Sequence, residues 1–328
     1  MRAAVYEKTG AARDVLSIAD LPTPTPNAGE VRVKLACSGV NPSDVKSRAG
    51  LRSKTLPFPK IIPHSDGAGV IDDVGADVSR DRIGERVWIW NGAWKRPFGT
   101  AAEYVVLPSH QAVALPKNID LAVGACLGIP ALTAYHAVTV DGGVAGKSVL
   151  VAGGAGAVGH YAIQIARLKG AKQIITTVSN EQKAALAHAA GANVIVNYKT
   201  EDMNARIQEA TNGQGVDRII EVEFAGNIGI DLQAIKPEGD IIVYGSNAAE
   251  IAVPFFPTIL KSVRMRFFIV YHLNSDDRKR AITDLTAMLE QSSLIHNIAT
   301  RLPLERIAEA HEMIEQNRAI GNVILSIE

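Results

Sequence analysis

Short apolar runs divided by Gly, Pro, Asn and Asp fill the first third of the chain: MRAAVYE, EVRVKLACSG, GAGVIDDVG and ERVWIW. Runs of this length, β-prone and bounded by turn residues, predict strands. The stretch LPTPTPNAGE sets Pro22, Pro24 and Pro26 at alternate positions, which predicts an extended surface connection. A helix or loop is expected after Asn41, with Ser43 or Asp44 near its start as a cap. From about Leu121 the pattern changes. Ser148 to Ala171, SVLVAGGAGAVGHYAIQIARLKGA, reads as an apolar strand, a glycine-rich turn and a helix with apolar Val158, Ala162, Ile165 and Ala166. Two strands, QIITTV and NVIVNY, follow with the helical stretch SNEQKAALAHAAG between them, and then the apolar runs VDRIIEVEFAG and GDIIVYGS. Strands alternating with helices predict a parallel sheet covered on both faces. The tail reads as two helices, DDRKRAITDLTAMLEQ and PLERIAEAHEMIEQN, and a last strand NVILSIE.

The length of 328 residues favours two packed domains, and 47% hydrophobic with 21% charged residues is ordinary for a globular chain with a sizeable core. Lys+Arg and Asp+Glu both count 34, so there is no net positive field to recruit nucleic acid or an anionic membrane. A small molecule is the expected partner. Cys37 and Cys126 lie far apart in sequence, which fits a reducing compartment better than a disulfide framework. No run approaches the roughly 18 apolar residues of a membrane span, and MRAAVYEKTG has no apolar leader pattern, so the chain is expected to be complete and cytoplasmic.

Gly154, Gly156 and Gly159 form G-x-G-x-x-G between an apolar strand and a helix, the context this dinucleotide fingerprint requires. In that pattern Gly154 serves the tight turn, Gly156 lets the backbone approach a pyrophosphate, and Gly159 lets helix and strand pack closely. The helix start, Ala157 and Val158, then offers unpaired N–H groups to the phosphates. An acidic residue at the end of the second strand would bind the ribose 2′-OH of NAD; here TTVSNEQK has Ser179 and Asn180 there instead. A hydroxyl at Ser179 and an ammonium at Lys183 suit a 2′-phosphate, which favours NADPH over NADH. The competing reading makes Ser179 a helix cap and Lys183 a solvated surface residue.

Together with GVNPSDVKSRAG (39–50), SDGAGVIDDVG (65–75), GIPALTAYHAV (128–138) and the closing GNVIL, this turn gives the chain a resemblance, essentially end to end, to the zinc-free quinone oxidoreductases of the medium-chain dehydrogenase/reductase superfamily. The resemblance implies an α/β fold in two parts. A discontinuous GroES-like catalytic domain would comprise residues 1–122 and 272–328, and a Rossmann NADPH-binding domain with a doubly wound parallel sheet residues 123–271. It also implies no metal. Zinc-dependent relatives have a cysteine where this chain has Asn41 and a histidine where it has Ser65; His64 stands in the place of a glycine, and Cys37 falls four residues early.

By the same resemblance, Asn41 would lie against the nicotinamide or the substrate carbonyl, with Asp44, Lys46 and Arg48 in the same loop; relatives often carry a tyrosine where Lys46 stands. Thr133, Gly245, Ser246, Phe268 and Val270 would meet the cofactor, Tyr198 would line the 2′-phosphate side, and Asn322 is a further candidate. Without a Lewis acid, hydride transfer suits an acceptor that spreads its own developing charge, so quinones and α,β-unsaturated carbonyls head the substrate classes. Quinone reduction is the first expectation and enone or 2-alkenal reduction the second. A nucleotide-binding structural or RNA-binding role is a third reading, disfavoured by balanced charge. Trp88, Trp90 and Trp94 offer either a stacking surface or core, and His136, His160 and His188 read as structural. The resemblance further implies a homodimer or homotetramer, with GDIIVYGS and IAVPFF as candidate edges.

Overall fold

In the computed structural model, which describes residues 1–327, the chain divides into two compact units, Met1–Pro130 with Ile282–Glu328, and Ala131–Ala281. The elements run β1 (Arg2–Val5), α1 (Ala12–Val15), β2 (Ser17–Asp20), β3 (Glu30–Val40), α2 (Pro42–Arg48), β4 (Asp66–Val74), β5 (Arg86–Ile89), β6 (Tyr104–Pro108), β7 (Ala112–Ala114) and α3 (Leu121–Gly124). The nucleotide-type unit continues with α4 (Leu132–Thr139), β8 (Ser148–Val151), α5 (Ala157–Leu168), β9 (Gln173–Val178), α6 (Glu181–Ala190), β10 (Val194–Asn197), α7 (Met203–Ala210), β11 (Val216–Glu221), α8 (Phe224–Ala234), β12 (Ile235–Val243), α9 (Phe255–Leu260) and β13 (Arg264–Phe267). The tail holds α10 (Ser275–Glu290), β14 (Ile298–Pro303), α11 (Ile307–Glu315) and β15 (Asn322–Ser326).

β3 organises the first unit. Its early residues alternate, with Val31, Val33 and Leu35 buried while Arg32 and Lys34 face out; from Cys37 onward every residue is buried, because β4 and β15 flank it there. Val31, Val33 and Leu35 meet Ile71, Val87, Ile89 and Leu107 in one core, and a second core joins Val40, Val45, Leu302, Ile307, Val323 and Leu325. In this way the tail strand β15 completes the sheet begun at β3, and Asn41 emerges at the end of a strand paired on both sides.

The second unit is a six-stranded sheet in the order β10-β9-β8-β11-β12-β13, all parallel. The order reverses between β8 and β11, and that switch point at the carboxyl ends of the strands is where open α/β sheets bind ligands. Arg218 on β11 is fully buried, and its guanidinium donates to the carbonyls of Val138 at 3.2 Å, Val140 at 2.8 Å and Asp141 at 3.1 Å and pairs with Asp240 at 3.1 Å. One cation thus caps the carboxyl end of α4 and ties it to the sheet.

Three expectations change. The division falls later than 122/123 and 271/272, because α3 packs on β3, β4 and β5, and Arg278 near the start of α10 donates to the Val270 carbonyl at 2.8 Å. GDIIVYGS is no edge: β12 lies between β11 and β13. The true edge, β13, reads RMRF, too short and charged to announce itself as a strand, and β2, β6, β7 and β14 were likewise not legible. VDRIIEVEFAG is a strand only to Glu221, after which α8 begins at Phe224. Among the described residues no helix is long and apolar enough to cross a membrane.

Candidate active site

The glycine turn joins β8 to α5 at the switch point. The left-handed residue is Gly153, with φ of 70°, so the tight turn falls one residue before the expected Gly154. Gly154 serves close packing instead, since a Cβ there would come within 2.1 Å of Thr176 Oγ1 on β9 and only glycine lets the turn pass the neighbouring strand. Gly159 is equally constrained, because its Cβ would lie 2.3 Å from the Gly153 carbonyl oxygen. Gly156, the N-cap of α5, is exposed and would meet only the Gly153 carbonyl at 3.2 Å, which leaves its face open for a ligand. Ala157 and Val158 after it are half-buried.

At the end of β9 the two readings of Ser179 separate. Asn180, not Ser179, caps α6, its side chain accepting from the Lys183 N–H at 2.9 Å. Ser179 is left to accept from the Lys183 ammonium at 2.9 Å. Tyr198 joins them through its backbone N–H, which donates to the Val178 carbonyl at 3.1 Å; its ring is half exposed with the Lys199 ammonium 5.4 Å from its centroid. The Ser179 hydroxyl and the Lys183 ammonium are thus paired at the end of β9, with Tyr198 following the end of the neighbouring β10.

Elsewhere in this unit, Thr133 is buried on α4, and His136, one turn further, stands edge-on to Phe268 with centroids 4.7 Å apart. Phe268 continues β13 by donating its N–H to the Val243 carbonyl, while the Val270 carbonyl is engaged by Arg278. Gly245 allows the end of β12 to touch the end of β11, where a Cβ would lie 2.3 Å from the Val222 carbonyl; Ser246 next to it turns back onto Ala248. Glu221, at the end of β11, accepts from Asn227 at 3.1 Å, and burial raises its pKa. Burial and the neighbouring Glu221 push the Asp231 carboxyl up to about 9.

In the other unit Asn41 is the buried N-cap of α2. Its backbone N–H donates to Asp44 Oδ2 at 2.9 Å, so Asp44 sits at N3 as the returning half of a capping box. Its side-chain amide donates to Asp66 Oδ2, also at 2.9 Å. Burial pushes the Asp44 carboxyl up to about 7, and burial with the nearby Asp44 raises Asp66 well above the usual carboxylate range. Arg48 turns away from this amide: fully buried, it donates to the Gly10 carbonyl and pairs with Glu315, pinning α2 to the N-terminal loop and to α11. Lys46 is half-buried on α2. Asn322 falls across from Asn41 by the Val40–Val323 register, and its amide donates to the Asn297 carbonyl at 2.9 Å.

The segment before β4 carries His64 and Ser65. His64 is left-handed with φ of 76°, a conformation natural to glycine and costly for a residue that carries a Cβ. Its ring is held at both ends, Nδ1 by Ser38 Oγ at 2.9 Å and Nε2 by His311 Nε2 at 2.9 Å. Ser38 in turn meets Thr100 Oγ1 at 2.8 Å, and Thr100 donates to the Asp66 carbonyl. Because a carbonyl only accepts, every proton in this chain has one direction: His311 donates to His64, His64 to Ser38, Ser38 to Thr100 and Thr100 to Asp66. Both ring nitrogens of His64 are thereby committed, and neither suits a metal. Among the described residues no group of three or more His, Cys, Asp or Glu is arranged as a metal site, and Cys37 and Cys126 are buried.

Trp88 and Trp90 are buried, so they belong to the core rather than to an open stacking surface. His160 is also structural, accepting from Gln164 at 3.0 Å. Sequence reasoning passed over Asp66, Ser38, Thr100 and His311, whose chemistry depends on contacts across β3, β4 and α11 that no local spacing reveals.

A zinc-binding dehydrogenase family model matches residues 157–287 and an alcohol dehydrogenase GroES-like domain model matches residues 27–117. The human quinone oxidoreductase is 33% identical over 93% of this chain and 92% of its own length. The chain belongs to the quinone oxidoreductases of the medium-chain dehydrogenase/reductase superfamily. A second relative of this quinone oxidoreductase-like chain is a Burkholderia 2-haloacrylate reductase, 28% identical over 99% of the chain and 98% of the relative. Among solved structures, an NAD-dependent alcohol dehydrogenase superposes with a TM-score of 0.92 at 31% identity, covering 100% of both chains. A mycobacterial protein solved as its NADPH complex superposes at 0.87 with 27% identity, covering 99% of both.

Proposed function

We propose that this chain is an NADPH-dependent quinone oxidoreductase that works without zinc. The observation that carries the cofactor choice is the Lys183–Ser179 pair at the end of β9, freed by the Asn180 cap to receive a 2′-phosphate. Tyr198 flanks that phosphate, Gly154, Gly156, Ala157, Val158 and Gly159 form the pyrophosphate turn, and Thr133, Gly245, Ser246, Phe268, Val270 and Asn322 are the remaining cofactor contacts. NADPH supplies the hydride when bound; a quinone takes it together with one proton from solvent, giving hydroquinone and NADP+. The protein's own part is positioning and water exclusion. Asn41 is the residue assigned to the nicotinamide or acceptor carbonyl. Asp44 orders its backbone, Lys46 stands ready as a carbonyl donor, and Arg48 acts by holding α2.

The 2-haloacrylate reductase relative favours a second substrate class, activated alkenes. The deciding measurement is NADPH oxidation against an ortho-quinone and a 2-alkenal in parallel, with NADH and a chelator as controls. Quinone turnover with NADPH, untouched by chelator, is the expected outcome. Alkenal turnover alone moves the substrate to enones, and loss with chelator overturns the zinc-free assignment.

The partner proposed for the assembly is a second copy. Phe255, Phe256, Ile259 and Leu260 on α9 are 54 to 80% exposed, and Phe267 on the edge strand β13 is 60% exposed. An apolar helix beside an unpaired edge strand is a surface that a dimer would cover. Leu260→Glu is expected to give a monomer by light scattering; an unchanged mass places the interface elsewhere. The assignment to the cytoplasm remains part of the same proposal.

A further inference from the structure

The Asn41 amide is clamped by a residue with no assigned role. Asp66, at the start of β4, is completely buried, and its Oδ2 accepts from Asn41 Nδ2 at 2.9 Å. Its Oδ1 makes no close hydrogen bond, the Ile129 N–H being the backbone donor that acts on the carboxyl, and it rests against Gly128, where a Cβ would come within 2.4 Å. Its backbone carbonyl is the end of the chain of donors that starts at His311, so main chain and side chain are both fixed. We propose that Asp66 is the positioning residue of the reaction site, fixing the Asn41 amide through a carboxyl that keeps its proton. This inference rests on the assignment of Asn41 to the reacting ends of cofactor and acceptor.

The surroundings of Asp66 argue for the neutral acid. It makes no ion pair among the described residues; Asp44 on α2 and Cys126 after α3 are the titratable groups that interact with it, and the cation Arg301 acts on Cys126. Arg52 acts on Asp44 instead. A carboxylate here would have only the Asn41 amide and the Ile129 N–H to offset its charge and no cation, whereas the carboxylic acid removes that charge and leaves Oδ2 to accept from Asn41. The chemistry agrees, because hydride transfer builds negative charge on the acceptor oxygen, and a buried anion beside Asn41 would oppose it.

Two substitutions separate positioning from bulk structure. Asp66→Asn is isosteric with the neutral acid and can turn its amide oxygen toward Asn41; Asp66→Leu removes the acceptor. Asp66→Leu is expected to lower kcat about 100-fold while the KM for NADPH holds within about threefold. Asp66→Asn is expected to stay within about threefold of the parent and to lose the fall in kcat that the parent shows once Asp66 ionises at high pH. Because Asp44 acts on Asp66, the comparison is repeated in the Asp44→Asn background, where Asp66 alone of the pair titrates. Infrared difference spectra between parent and Asp66→Asn at neutral pH should show one carboxylic-acid C=O band belonging to the parent. Asp66→Asn as slow as Asp66→Leu, full activity in Asp66→Leu, or absence of that band would each overturn the proposal. Should the parent reduce neither quinone nor alkenal, the functional assignment fails by itself, and the infrared band together with the Asn41 side-chain NMR signal in parent and Asp66→Leu still decides whether Asp66 is protonated and holds the amide.

Discussion

Lys183 donates to Ser179 at 2.9 Å from the first turn of α6, and Asn180 performs the capping that Ser179 would otherwise supply. Lys183→Ala and Ser179→Ala should therefore leave the helix cap intact while weakening a charge-assisted phosphate contact. Each is expected to raise the KM for NADPH by about 10- to 100-fold and leave that for NADH nearly unchanged. Steady-state kinetics with both cofactors checks this, and an equal loss for NADH would remove the 2′-phosphate role.

Gly154 and Gly156 differ in what surrounds them. Gly154→Ala drives a Cβ into Thr176 Oγ1 and should cost about 1–3 kcal/mol in chemical denaturation. Gly156→Ala meets only the Gly153 carbonyl oxygen at 3.2 Å, so its thermal midpoint should fall far less than that of Gly154→Ala while NADPH affinity falls, because the added methyl group occupies the open face of the turn.

The His64–His311 pair sets an acid limit on stability. Burial lowers His64 from 6.5 to about 3 and lowers His311 as well, with His64 and Arg48 adding to the effect. The unfolded chain binds more protons than the folded one across that window, so stability rises with pH between about 3 and 6.5 and is lost on acidification. Each buried imidazole contributes a slope of about 1.4 kcal/mol per pH unit. His311→Gln, which can still donate to His64, should flatten the dependence measured by urea unfolding from pH 7 to pH 4; an unchanged slope would mean that His311 titrates normally.

Asp44 has the opposite sign. Its folded-state value is raised from 3.8 to about 7, so the folded chain holds the extra proton and stability falls as pH rises across that interval. Asp44→Asn keeps an acceptor for the Asn41 N–H and removes the buried charge. Its stability relative to the parent should grow from pH 4 to pH 7 and level off above; a constant difference would refute the shift.

Arg218 holds the end of α4, the helix that carries Thr133. Arg218→Met leaves the carbonyls of Val138, Val140 and Asp141 without their donor, and Asp240 with only its outer partners Lys147 and Arg264. A loss of about 3–5 kcal/mol in unfolding free energy is expected. A loss below about 1 kcal/mol would show that water replaces the guanidinium there.

The hydrophobic pattern by itself determined the alternating strands and helices of the nucleotide-type unit, the glycine turn, and β3, β4 and β15, because burial of one face or both imprints a period on the residues. It also placed Ser179 and Lys183 one helical turn apart, close enough to act together. Tertiary structure decided the rest. The charged edge β13 became a strand only by pairing with β12, and the left-handed turn fell on Gly153 while Thr176 leaves room only for glycine at Gly154. Which side chain capped α6 was decided by the Asn180 amide oxygen winning the Lys183 N–H. The clamp on Asn41 unites residues 25 apart in sequence, and the imidazole pair behind it residues 247 apart. No local pattern encodes such contacts. They arise where buried donors and acceptors must find partners once water is excluded, and the fold alone sets which partners are within reach.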